Sequence, residues 1–157
     1  MKDGGATGGP LSKQQLRVWL NLLKVNRRIE AELRSRLRLQ FATTLPRFDV
    51  MSALYRHDHG LILSALSSML MVSNGNITGI VERLVEDGLI VREPVPGDRR
   101  AARVRLTDKG RAEFGRQAKV HEAWVAELLG GLDRDDTAVM LEMLSRIRLN
   151  ETENTDD

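Results

Sequence analysis

One stretch limits what this chain can fold into, the run from Leu66 to Thr107. Ser73 stands where a helix N-cap belongs, because its hydroxyl can accept from an otherwise unpaired backbone N–H. Behind it Ile77, Ile80, Val81, Leu84 and Val85 recur at helical spacing, one apolar stripe of an amphipathic helix. Gly88 follows as a stop. Two strand-like runs come next, Leu89 to Glu93 and Ala102 to Leu106, joined through Pro94, Pro96 and Gly97. Upstream, Leu61 to Leu70 sets Leu63, Leu66 and Leu70 inward as a short helix. Helix, tight turn, helix and hairpin in this order read as a winged helix-turn-helix.

The flanks are helical. Leu11 to about Phe41 reads as one long helix with Ser12 as N-cap. It carries two stripes, Leu16, Trp19, Leu20 and Leu23 on one and Val18, Leu22, Val25, Ile29 and Leu33 on the other. Two stripes imply two burial partners: the chain's own core and a second subunit. Thr43, Thr44 and Pro46 open a second helix, with Phe48, Met51, Leu54 and Tyr55 inward and His57 to Gly60 at its end. Thr107 caps a helix over Lys109 to Leu129, Gly130-Gly131 breaks it, and Asp133 caps a last one to about Leu149.

Composition narrows the function classes. A net charge of +2 over 157 residues does not by itself announce nucleic acid. The distribution says more: seven basic residues face three acidic ones between Arg92 and Arg111. Cysteine is absent, which removes disulfides, thiolate catalysis and thiol-based sensing. No apolar run approaches the roughly 18 residues of a membrane span, and the first residues hold no hydrophobic signal region. The expectation is a soluble, cytoplasmic protein without a membrane partner.

The central stretch resembles the MarR (multiple antibiotic resistance regulator) family of bacterial transcription factors. The resemblance rests on Val72-Ser73, Ile77-Thr78, Glu82-Arg83-Leu84, Asp87-Gly88-Leu89-Ile90, Arg92, Asp98-Arg99-Arg100 and Leu106-Thr107 with Gly110, and covers about Leu11 to Leu132. It implies a homodimeric, ligand-responsive repressor on double-stranded DNA. The expected fold is mainly α with a small β-wing: a winged helix-turn-helix flanked by long N- and C-terminal dimerisation helices. The expected divisions are a flexible leader (1–11), an N-terminal dimerisation helix (12–45), the DNA-binding region (46–106), C-terminal dimerisation helices (107–149) and an acidic disordered tail (150–157).

The DNA-reading residues follow from the stripe. Asn76, Thr78, Gly79 and Arg83 point away from it, and Ser73 and Asn74 open the helix end that enters the major groove in this architecture. Asn pairs bidentately with adenine, and Thr meets a thymine methyl or a phosphate. Gly79 stands where the resembled family often has a basic residue. At the wing tip, Pro96 to Arg100 is the expected turn. Arg100 matches the family's Asp-x-Arg arginine, which implies reach into the minor groove. Gly97 and Asp98 shape the turn, Asp98 orienting an arginine, and Arg99 and Arg103 are phosphate candidates.

Other clusters have two readings each. His57-Asp58-His59 offers ligands for zinc or is a solvated turn; a metal site needs further ligands of fixed geometry. Arg28, Glu32 and Arg36 are spaced for an ion-pair ladder. Arg27, Arg34 and Arg38 share a face with only Glu30 to balance them. That face is either solvated or an anion site. The resembled branch includes regulators of aromatic-acid catabolism, some answering to coenzyme A thioesters. An acyl-CoA would bring phosphates for these arginines and an acyl group for a cleft around Trp19 and Phe41, while a free aromatic carboxylate needs one arginine. No nucleophile–base pair or paired catalytic carboxylates are evident, so neither an enzyme nor a cofactor is expected. The competing class is a winged-helix adaptor between proteins that never binds DNA. The basic excess of the wing favours DNA over the adaptor.

Overall fold

The computed structural model of the chain describes residues 10–147, the side chain of Asn74 excepted. The elements are α1 (Leu11–Phe41), α2 (Leu45–Tyr55), β1 (Leu61–Ile62), α3 (Leu63–Leu70), α4 (Asn74–Glu86), β2 (Ile90–Val95), β3 (Asp98–Leu106), α5 (Asp108–Leu128) and α6 (Arg134–Ser145). The architecture is mainly α with one small antiparallel sheet, ordered β1-β3-β2. The expected acidic tail, and all of the expected leader except Pro10 and Leu11, lie outside the described residues; Leu11 is already helical.

The middle of the molecule is α2. Thr44 caps it, its hydroxyl accepting from Arg47 N at 3.3 Å, and Pro46 sits in the first turn, where a missing N–H costs nothing. Phe48, Val50, Met51, Ala53 and Leu54 are buried, so α2 has apolar contacts on almost every side. It packs against α1, α3, α4, α5 and β3. On α4, Ile77, Val81 and Leu84 are buried. Each contributes roughly 1.5–3 kcal/mol relative to an exposed side chain. Val85, expected on the same stripe, stays more than a third exposed.

Three local expectations change. Ser12 does not cap α1: the helix begins at Leu11, and Pro10 O accepts from Lys13 N and Gln14 N at 2.9 and 3.2 Å. Leu61 and Ile62 are not helical but pair with Val104 and Arg103 of β3. Gly60 allows this, with φ +77° and so close to β3 that a Cβ would lie 2.4 Å from Val104 O. The wing strands are longer than expected, because Val95 pairs with Asp98 and only Pro96 and Gly97 remain in the turn. Gly97 at φ +83° occupies the position that a Pro-Gly turn reserves for glycine.

A tight joint fastens α5 to the end of α4. Thr107 Oγ1 donates to Gly88 O at 2.7 Å and accepts from Gly110 N at 3.0 Å. Thr107 N donates to Leu89 O. A Cβ on Gly110 would stand 1.9 Å from Leu89 O, so backbone rests on backbone there. Among the described residues no helix is long and apolar enough to cross a membrane.

Gly110→Ala must therefore push apart two main chains and should destabilise the fold by about 1–3 kcal/mol or more. Gly115→Ala, on the same helix and with nothing within 4 Å of the new Cβ, should be neutral or stabilise by up to about 1 kcal/mol. Urea unfolding of the two variants checks the contrast; equal stabilities would refute the close contact.

Candidate nucleic-acid interface

The turn before α4 is held by one buried hydroxyl. Ser67 Oγ donates to Val72 O at 2.6 Å, and Val72 N donates back to Ser67 O at 3.1 Å. Met71 turns the chain with φ +55°. Ser73 then caps α4, its hydroxyl accepting from Asn76 N at 3.3 Å. With Ile77, Val81 and Leu84 committed to the core, Ser73, Gly75, Asn76, Gly79 and Arg83 are exposed. Thr78 is half-buried and already has an interaction within the fold, so it is less open than its spacing implies. Asn74 supplies the first residue of the helix. No acid occupies that first turn, so the positive end of the helix dipole is left uncancelled. Neither Gly75 nor Gly79 is required by packing: a Cβ at either meets nothing within 4 Å.

The wing tip has its own construction. Between the pairs Pro94↔Ala102 and Val95↔Asp98 the register slips, so Arg99, Arg100 and Ala101 stand outside the ladder. Asp98 takes over as acceptor, its Oδ1 binding Arg100 N at 2.9 Å and Ala101 N at 3.3 Å. It thus orients the backbone of an arginine, where the expectation was an arginine in general terms. Arg99 and Arg100 are exposed. Arg103 is exposed too, on the strand face opposite buried Val104 and Leu106. On that face Arg105 pairs with Glu93 at 2.8 Å, an ion pair not anticipated from the sequence.

A sequence model of the MarR family matches residues 43–101, from the start of α2 to the wing. A MarR family transcriptional regulator from Silicibacter pomeroyi is 31% identical over 88% of this chain and 96% of its own, with a TM-score of 0.72. The chain belongs to the MarR family. This is a family of DNA-binding transcriptional regulators, not of enzymes. A mutant MarR from E. coli, solved in complex with operator DNA, shares the fold at 24% identity and a TM-score of 0.74, over 90% of this chain and all of that one. The uncharacterised regulator YkoM of Bacillus subtilis is 30% identical over 84 residues; these are 54% of this chain, which spans about half of YkoM's length.

The remaining expectations for this MarR chain fare unevenly. Trp19 and Phe41 do not share a cleft within one chain. They lie on one uninterrupted helix, about 33 Å apart at about 1.5 Å per residue. Trp19 is exposed, whereas Phe41 packs on Trp124 at 6.0 Å with the Arg116 guanidinium over its ring at 5.0 Å. Arg27, Arg34 and Arg38 are exposed, with no ion pair among the described residues. The ladder forms only between Glu32 and Arg36, at 2.7 Å; Arg36 also makes a two-pronged bond to Glu127 on α5 at 2.8 and 3.0 Å. That bond lowers the Glu127 carboxyl below its ordinary range.

His57 and Asp58 have structural partners. His57 Nδ1 donates to Ala53 O at 2.7 Å, and Asp58 pairs with Arg111 at 2.7 Å. His59 is exposed, and no group of three or more metal-binding side chains occurs among the described residues. His121 stacks on Phe48 at 4.5 Å between ring centroids, and burial lowers its pKa, so its ring is neutral at neutral pH.

Proposed function

We propose that the chain acts as a homodimeric repressor in the cytoplasm, binding an inverted-repeat operator and released by a small ligand. The observation that carries the DNA side is the wing tip. Arg99 and Arg100 lie outside the strand ladder, while the Asp98 carboxylate accepts from the backbone N–H of Arg100 and Ala101. A narrow minor groove concentrates negative potential and favours such an arginine. Asn76, Gly79 and Arg83 on the open side of α4 then face the major groove, with Ser73 and Asn74 near a phosphate at the helix start. The operator complex of the E. coli relative supports the same use of the fold.

Support for the dimer comes from apolar surface that one chain leaves uncovered. Leu16, Trp19, Leu20 and Val25 of α1 are exposed, as are Leu141, Met143 and Leu144 of α6, a helix with no buried residue. Between them a groove of about 730 Å³ runs along Val18, Leu22, Val25, Leu128, Leu129 and Met140. Contiguous apolar patches of this kind mark an interface. The effector reading is an anion, an aromatic acid or its coenzyme A thioester, at Arg27, Arg34 and Arg38. Its support is that they form no ion pair among the described residues, since like charges four apart disfavour a helix.

The chain should sediment at twice its 17.6 kDa mass and, from random duplexes, should enrich an inverted repeat, because a two-fold dimer imposes its symmetry on the site. A monomer, or a direct repeat, would contradict the assembly. A protein-binding adaptor would instead show no salt-dependent retention on DNA.

Arg100→Ala should weaken binding to the enriched duplex by about 1–3 kcal/mol with an unchanged circular dichroism spectrum. Wild-type affinity in that titration would remove the wing from the contact. For the effector, calorimetry should show heat with an aromatic acid or its thioester that is lost in Arg34→Ala with Arg38→Ala. Undiminished binding by the double variant would return these arginines to solvent.

A further inference from the structure

The carboxy-terminal end of α4 breaks two local rules at once. Asp87 caps a helix end that is already negative, beside Glu86, where a cation belongs. Its partner, Arg47, lies in the first turn of α2, a helix end that is already positive, where an anion belongs. Each charge is misplaced in its own helix. The two make sense only together, for the Arg47 guanidinium donates through Nη2 to Asp87 Oδ2. A second brace reaches the same residue from α5, where Lys109 Nζ donates to the main-chain oxygen of Asp87 at 2.9 Å. Arg47 is also half-embedded: its Nε is buried with no partner among the described residues, and it borders two clefts, one along Glu82 and Glu86, the other along Thr43, Lys109 and Gln117.

We propose that Arg47 is a positioning residue for DNA reading, holding the far end of α4 through Asp87 so that its amino end enters the groove at one angle. This rests on the DNA-binding function proposed above. The lever arm is what makes the brace matter. A helix of 13 residues is about 20 Å long, so a tilt of about 10° at the braced end moves the reading end by about 3 Å. Base-edge hydrogen bonds do not survive such a shift, since their length varies by only a few tenths of an ångström. Attraction to phosphates is longer in range and tolerates it. A lost brace should therefore lower sequence discrimination more than total DNA affinity.

The test uses the full-length protein and two duplexes, one enriched by the wild type from a random library and one of scrambled sequence. Arg47→Met keeps the aliphatic stem and removes the charge. It should lose roughly tenfold or more in affinity for the enriched duplex and less than about twofold for the scrambled one, with the salt dependence unchanged. Asp87→Asn, which keeps the side-chain shape, should do the same and serves if the first variant unfolds. The exchange Arg47→Asp with Asp87→Arg places each charge at the helix end that favours it and should restore discrimination. Three results would overturn the proposal: full discrimination in both single variants, equal loss on both duplexes with a shallower salt slope (a direct phosphate contact by Arg47), or a folded exchange variant without recovery. Failure of the wild type to enrich any sequence would overturn the DNA reading itself.

Discussion

Everything in this molecule hangs on the burial of α2. A helix of 11 residues with five of them buried gives α1, α3, α4, α5 and β3 a common apolar wall. The recognition helix α4 takes further support from α3 and β2. The buried side of α4 is three residues wide, Ile77, Val81 and Leu84, and the sheet has only β3 between its two edges. Because Val50, Met51 and Leu54 are sealed from water, α4 is packed closely on one side and free on the other. That asymmetry lets a core element also present Asn76 and Arg83 outward.

Polar contacts then decide the angles that apolar packing leaves loose. They gather at the end of α4, where Asp87, Gly88 and Leu89 are each held from another element, by Arg47, Lys109 and Thr107 and by the first turn of α5. Hydrophobic burial is non-directional, whereas these bonds have fixed geometry. At the wing the same division holds. Val104 and Leu106 anchor β3, and the Asp98 carboxylate shapes the tip.

Toward the two ends of the described residues, apolar side chains of α1 and α6 stay exposed. α1 buries only Leu33 and Leu37 fully, late in its length, with Ile29 packed beside them, while Leu16, Val18, Trp19, Leu20 and Val25 stay exposed. α6 buries nothing. Such surface in a member of the MarR family fits a shared hydrophobic core, in which folding and association are one equilibrium.

Periodicity and caps carried most of the fold by themselves. The stripe at Ile77, Val81 and Leu84, the caps Thr44, Ser73, Thr107 and Asp133, and the exposed tip arginines were legible because each depends on residues within a few positions along the chain. What stayed hidden depends on contacts between distant segments. The β1 strand exists because Gly60 lets the chain lie against Val104, and no local pattern shows that approach. Phe41 was expected to line a cleft with Trp19, whereas the fold gives it Trp124 of α5 as its ring partner. No local pattern marks Ser67, whose hydroxyl meets Val72 O only because the turn brings the two together. Arg47 and Asp87 each ran against the dipole of their own helix, and only the tertiary fold, which sets two helix ends side by side, turned two local mismatches into one bond.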